Sequence, residues 1–179
     1  KERLARVKES DPNSIFITNY EALLMDIFEE FLVLGRTSRK NSKPTCLVLD
    51  ESHKSKNPTS KRTKLVTALA DTFDFKYLLT GTPILNNLMD LYAQYRIMDQ
   101  GMTLGSNFFS FRARYFEDRN KHMPKHNYFP NWKPVSGAEN EIKSRIQESS
   151  MFVEKSKCLD LPPLVKKTIE IPLGKEQRR

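Results

Sequence analysis

Apolar residues along this chain fall into runs and stripes separated by polar, proline-rich or glycine-bearing stretches. Ser14 to Tyr20 reads as a strand. Glu21 to Leu34 follows as a helix, with Leu23, Leu24, Ile27, Phe28, Phe31 and Leu34 on one stripe and Gly35 placed to stop it. Arg36 to Pro44 is polar and basic and reads as an exposed loop, solvated in the plainer account and touching phosphate in the alternative. The run Leu47-Val48-Leu49 then forms a second strand that ends in Asp50-Glu51, and Tyr77-Leu78-Leu79 forms a third that ends in Thr80-Gly81-Thr82. Between them, Ser60 to Thr72 carries Leu65, Val66, Ala68 and Leu69 at helical spacing, opposite Lys61, Arg62 and Lys64. Strand, helix, strand is a crossover unit of a parallel sheet.

Beyond the third strand, Asn87 to Met98 repeats the helical pattern with Leu88, Leu91, Tyr92, Tyr95 and Ile97, and Asn86 or Asn87 is placed to cap it. Phe108, Phe109, Phe111, Tyr115 and Phe116 crowd the next helix, and so dense an aromatic group is expected in a core rather than on a base-stacking surface. Residues 118–137 hold Pro124, Pro130, Pro134 and Trp132 among Lys, His and Asn, and read as an irregular loop that either contacts nucleic acid or folds back on the body. Ala138 to Ser149 resumes a helix, with Ile142 and Ile146 inside.

The two polar strand ends are where chemistry is expected, because ligands of open parallel sheets sit at the carboxyl ends of the strands. Adjacent carboxylates there suit nucleotide hydrolysis: one holds magnesium through its water shell and the other polarises an attacking water. Asp50 would be the first and Glu51 the second. The plainer alternative is that the pair only ends a strand and caps a helix.

Asp50-Glu51-Ser52-His53 followed by Lys56-Asn57, and Leu79-Thr80-Gly81-Thr82-Pro83-Ile84 followed by Asn86-Asn87-Leu88, resemble motifs II and III of helicase superfamily two. The wording is that of its Swi/Snf-related double-stranded DNA translocases. DEAD-box RNA helicases usually show Asp-Glu-Ala-Asp and Ser-Ala-Thr, whereas this chain has His53 and Thr80-Gly81-Thr82. Ile15 to Glu21 resembles the strand and turn that precede motif II. Leu161-Pro162-Pro163 and the alternation from Thr168 to Leu173 are a weaker echo of the exit from the first motor lobe. Two positions depart from the pattern: Glu154-Lys155-Ser156-Lys157 replaces a more basic run, and Leu85 stands where Gln is common.

The resemblance implies an α/β fold: a partial RecA-like lobe of the P-loop NTPase type over residues 1–99, with a parallel sheet flanked by helices. A helical extension over 100–160 and an exit segment over 161–179 follow. It implies ATP and Mg2+ as cofactors, bound at Asp50, Glu51 and His53, with catalysis by Glu51 and Asp50. Thr80, Gly81 and Thr82 would couple the nucleotide site to DNA grip, and His53 would bridge the two motifs. Thr18, Asn19, Lys56, Asn57 and Asn86 would face double-stranded DNA, reading phosphates rather than bases. The expected setting is intracellular and on DNA, with protein partners there. The alternatives are a motor fold that only binds, and an ATPase directed to RNA.

Composition changes this picture little. The 179 residues, 38% hydrophobic, suffice for one core, and a formal charge of +8 suits a phosphate-neutralising protein or an anionic surface. No apolar run is long enough to span a bilayer. No Gly-x-x-x-x-Gly-Lys-Ser/Thr loop occurs, so the chain is expected to hold the latter half of a first motor lobe and to be inactive alone. Cys46 and Cys158 support neither a disulfide framework nor a zinc site, and Cys46 reads as a small core residue. His122 and His126 flank Pro124 without a third ligand, which argues against metal binding.

Overall fold

The computed structural model describes residues 15–25, 28–29, 31–33, 45–84, 86–153 and 167–168. The chain divides into two units, Lys1–Glu148 and Ser149–Arg179. All the helices and strands named below lie in the first; in the second, the described residues 149–153 and 167–168 carry neither helix nor strand. The basic loop expected at 36–44, the stop at Gly35, the run 154–157, the Leu-Pro-Pro segment and Cys158 lie outside the described residues.

Strand β1 (Cys46–Leu49), helix α1 (Lys61–Ala70) and strand β2 (Phe75–Leu78) form the crossover unit, and the two strands pair in parallel with Val48 opposite Tyr77 and Leu49 opposite Leu78. Asp74 sets that register at its start. Its Oδ2 accepts from the backbone N–H of Thr45 at 3.0 Å, while Asp74 N–H donates to Thr45 O at 3.1 Å. Helix α1 begins where Ser60 Oγ accepts from Thr63 N–H, a hydroxyl cap on an otherwise open first turn. It buries Thr63 and packs Val66, Leu69 and Ala70 in one cluster with Leu49, Leu23, Phe31, Leu32 and Ile97.

Helix α2 (Asp90–Asp99) joins this cluster to a second one. Ile97 belongs to the first, while Leu91, Tyr92, Ala93 and Tyr95 pack with Leu104, with Phe111 and Tyr115 of helix α3 (Phe108–Tyr115), with Phe116, and with Ala138, Ile142 and Ile146 of helix α4 (Ala138–Gln147). Phe111 lies at the centre, its ring 5.1 Å from Tyr92, 5.2 Å from Tyr115 and 5.7 Å from Phe116 between centroids. The aromatic group is therefore core, except that Phe109 faces solvent. After α2 the chain turns through Gln100 and Gly101, both at positive φ, and the Asp99 carboxylate accepts from the N–H groups of Gly101, Met102 and Thr103.

Several expectations need correction. Residues 15–19 form no strand: Ile15 and Ile17 are exposed, and a strand holds only where a partner satisfies its backbone. The helix expected over 21–34 is broken. A 3-10 turn spans Ala22–Leu24, Met25 is extended, and helical backbone resumes at Phe28–Glu29 and 31–33. Leu23 and Phe31 are buried as expected, Leu24 is exposed, and Ile27 and Leu34 lie outside the described residues. Cys46 is exposed rather than in the core, because it shares the exposed side of β1 with Val48. Residues 118–137 are not wholly irregular: strands β3 (Phe116–Asp118) and β4 (Trp132–Pro134) pair antiparallel and fold the loop back on the body.

Candidate functional site

The carboxyl ends of β1 and β2 meet in two adjacent turns. Beyond the strands proper, Leu79 N–H donates to Leu49 O at 2.9 Å and Ser52 N–H donates to Leu79 O at 3.0 Å. The Asp50-Glu51 turn is thereby stitched to the residue before Thr80. Glu51 itself adopts a left-handed backbone, φ 49° and ψ 48°, which in a residue with a side chain costs roughly 1–2 kcal/mol and persists only when neighbours hold it. Asp50 Oδ1 accepts from the Glu51 N–H at 2.8 Å on one side. A 3-10 turn, Ser52–Ser55, begins on the other, where Lys54 N–H donates to Glu51 O.

Both carboxylates are exposed, so a ligand at the strand ends can reach them. Tyr20 fixes the backbone beneath: its hydroxyl donates to Asp50 O at 2.8 Å. Burial, reinforced by the Asp50 carboxylate, pushes the Tyr20 phenol up to about 12, so it remains a donor at any physiological pH.

His53 lies between the two turns. Its Nδ1 is 3.2 Å from Glu51 Oε2 and 3.1 Å from Thr80 Oγ1. An ionised carboxylate only accepts, so the Glu51 contact requires a proton on Nδ1; a bare Nδ1 instead accepts the Thr80 hydroxyl proton. One imidazole thus has two partners on two motifs: with a proton on Nδ1 it can donate to either, and without one it can only accept from Thr80. Thr80 Oγ1 also accepts from Thr82 N–H at 3.1 Å, closing the second turn on itself. Gly81 lacks a positive φ, and a Cβ added there would meet nothing within 4 Å, so neither backbone nor space demands glycine in this state.

The residues expected on the DNA face are only partly brought together. Lys56 Nζ reaches Asp90 Oδ2 at 3.4 Å, and the backbone N–H of Asn86 donates to the same oxygen at 2.8 Å, so these two converge on the first residue of α2. Asn57 Oδ1 accepts from Thr59 N–H and Oγ1, and Asn19 Oδ1 accepts from Ala22 N–H, so both hold local turns. Thr18 is exposed.

A groove of about 630 Å³ opens beside the second turn, between Asn86–Met89 and Pro130–Pro134, with Lys133 and Lys143 among its lining; it does not include Asp50 or Glu51. Its loop wall is held by Asp118, whose carboxylate accepts from the Tyr128 hydroxyl and from the N–H groups of Asn131 and Asn120. The Tyr128 bond holds the Asp118 carboxyl below its usual range. Arg112 lies 4.2 Å from the Trp132 ring centroid, covering the one tryptophan.

Sequence reasoning passed over Gln94. It is buried in α2, where its Oε1 accepts from Ser52 Oγ at 2.9 Å and its Nε2 donates to Pro83 O at 2.8 Å and Asp90 O at 2.9 Å. The available signal was a polar residue on a helix otherwise rich in buried apolar side chains, since a buried amide must find partners. Among the described residues no group of three or more His, Cys, Asp and Glu could hold a metal by protein ligands alone, and no helix is long and apolar enough to cross a membrane.

The family model of the SNF2-related domain matches residues 3–179. A SWI/SNF-related matrix-associated actin-dependent regulator of chromatin subfamily A-like protein 1 homolog of Caenorhabditis elegans is 33% identical over 112 residues, 63% of this chain and 16% of that protein. Protein p41 of Acyrthosiphon pisum secondary endosymbiont phage 1 is 26% identical over 185 residues, 99% of this chain and 37% of its own length. DNA repair protein RAD5 of Eremothecium gossypii is 33% identical over 104 residues, 54% of this chain and 9% of its own. The chain thus spans well under half the length of these curated relatives. No solved structure matches it significantly. With a family model covering nearly every residue and the two motif turns side by side at the strand ends, the chain belongs to the SNF2-related, or Swi/Snf-related, family of helicase superfamily two.

Proposed function

We propose that this chain is the latter half of the first RecA-like lobe of an ATP-driven translocase on double-stranded DNA, acting in remodelling or repair. The observation that carries the reading is the junction of the two strand-end turns, where His53 Nδ1 lies within hydrogen-bond reach of both Glu51 and Thr80. The names of the chromatin and DNA repair relatives support the choice of DNA.

The donor set fits Mg2+. This ion keeps most of its water and takes only one or two carboxylates besides phosphate oxygens, and Asp50 offers an exposed carboxylate whose Oδ1 is already oriented by the Glu51 N–H. Magnesium, when bound with ATP, neutralises developing charge on the phosphates. Glu51, its backbone fixed on both sides, orients and deprotonates the water that attacks the γ-phosphate. When Glu51 Oε2 takes up that proton it ceases to attract the N–H of His53, and the Nδ1–H, keeping its proton, turns to donate to the Thr80 hydroxyl oxygen. The state of the carboxylate is thereby reported to the Thr80–Thr82 turn. Asn86 follows that turn and borders the groove, so its side chain, with Thr18 and Asn57, is a candidate contact for the DNA backbone.

The test is steady-state ATP hydrolysis by the complete protein with duplex DNA, single strands and RNA in parallel. Strong stimulation by duplex, weakened by salt as phosphate contacts require, supports the reading. Stimulation by RNA alone transfers it to an RNA-directed ATPase, and no hydrolysis with any of them leaves a module that only binds. The 179-residue chain alone is expected to hydrolyse no ATP, because positioning of the phosphates supplies most of this catalysis.

A further inference from the structure

Two links join the carboxylate turn to the threonine turn. The outer one runs through His53, is partly exposed and depends on where the imidazole proton sits. The inner one runs through Gln94, which is only 4% exposed and carries no charge. The orientation of its amide is not ambiguous. Pro83 O and Asp90 O are both acceptors, so both amide protons must point at them, which leaves Oε1 to receive the Ser52 hydroxyl proton. The Asp90 bond is a local one to the preceding helical turn. The other two reach out of α2, one to each motif turn.

Their landing points matter. Ser52 directly follows the strained Glu51, is fully buried, and is held a second time by its N–H on Leu79 O. Pro83 closes the Thr80-Gly81-Thr82 run, and its carbonyl is the group Gln94 holds there. Helix α2 is anchored in both hydrophobic clusters, so Gln94 stands on the most firmly held element near the site. We infer that Gln94 is a positioning residue that locks the Ser52 and Pro83 ends of the two motif turns to one rigid helix, so that they move as one unit while His53 changes partner. A neutral, buried lock of this kind confines any proton-dependent rearrangement to the outer link. As a coupling device it rests on the motor function proposed above; as a lock it does not.

The experiment uses the complete protein and has two arms. In the first, hydrogen exchange is followed by mass spectrometry in peptides covering residues 79–84, for wild type and for Ser52→Ala, which deletes a single oxygen on the other turn. The lock predicts exchange at Thr82 faster by about tenfold, the loss expected for one buried hydrogen bond. Unchanged exchange there overturns it. In the second arm, the ratio of duplex-stimulated to unstimulated ATP turnover is measured for wild type, Ser52→Ala, Gln94→Leu and the double variant. A positioning role lowers the ratio by about tenfold, with the double variant no worse than Gln94→Leu. A merely structural role lowers both turnovers together, leaves the ratio intact, and overturns the coupling. If Gln94→Leu does not fold, Ser52→Ala alone decides. A wild type without duplex stimulation refutes the motor reading, while the exchange arm still decides the lock.

Discussion

The sheet-bearing part of the molecule and the helical part after it share α2 but differ in how they are closed. In the helical part, residues from three helices and β3 surround Phe111, and the cluster members are all nearly fully buried. In the sheet part, α1 and α2 together cover one face of the two strands, while Val48, Phe75, Tyr77 and Leu79 are each more than half exposed. The carboxylates and threonines stand on this thinner part. Their geometry therefore depends less on a thick core than on hydrogen bonds: Tyr20 to Asp50 O, Ser52 to Leu79 O and Gln94, and His53 between the turns. Packing fixes the platform and polar bonds fix the site.

That contrast can be broken by substitution. Phe111→Ala removes the ring that touches three others and should cost about 3–5 kcal/mol, read as a lowered denaturation midpoint; a cost under about 1 kcal/mol would deny the helical core its role. Gly101→Ala should cost about 2–4 kcal/mol, since the residue has φ +88° and a Cβ would lie 2.6 Å from Gly105 O and 2.7 Å from Ser106 Cα, both backbone atoms that cannot rotate aside.

Acid sharpens the comparison further. Asp118 and Glu141 are both held below their ordinary values, chiefly by the hydroxyls of Tyr128 and Tyr115. A depressed carboxyl stabilises the fold above its unfolded value and loses that contribution as pH falls through the folded one. The helical part should therefore lose stability progressively as pH falls from the usual carboxylate range near pH 4 through the lower folded values, read as a falling denaturation midpoint. Tyr128→Phe should return Asp118 toward 3.8, seen in its carboxyl titration by NMR. The smallest effect belongs to the open face: Val48→Thr should change stability by no more than about 0.5 kcal/mol, because the side chain is already 55% exposed. A larger loss would mean that this face is covered in solution.

The crossover unit was legible because Leu47-Val48-Leu49 and Tyr77-Leu78-Leu79 are short apolar runs flanking a capped, amphipathic helix, and local propensity agreed with tertiary structure. Helices α2 and α4 were legible for the same reason, and Asp50, Glu51 and Thr80 emerged together from the places where those strands end. Other features were set by contacts that periodicity does not encode. Ile15 to Ile17 has strand-like composition but no strand pairing, and Met25 interrupts a stripe that looked continuous. Strands β3 and β4 are three residues each, one beginning directly at the end of α3 and the other ending in Pro134, so neither shows an alternation long enough to read. The left-handed Glu51 has no composition signal, since a positive φ there is imposed by the bonds on either side. Gln94 could have been suspected from its neighbours, but which groups it would satisfy depends on two turns that are distant in sequence.

Whether Glu51 performs the proton chemistry on a site held by those bonds is decided by single-turnover ATP cleavage in the complete protein with saturating duplex DNA, wild type beside Glu51→Gln. Nucleotide should still bind to the variant while cleavage falls by several orders of magnitude, the scale of a lost water-activating group. Cleavage near the wild-type rate in Glu51→Gln would contradict that role and remove Glu51 from the chemistry.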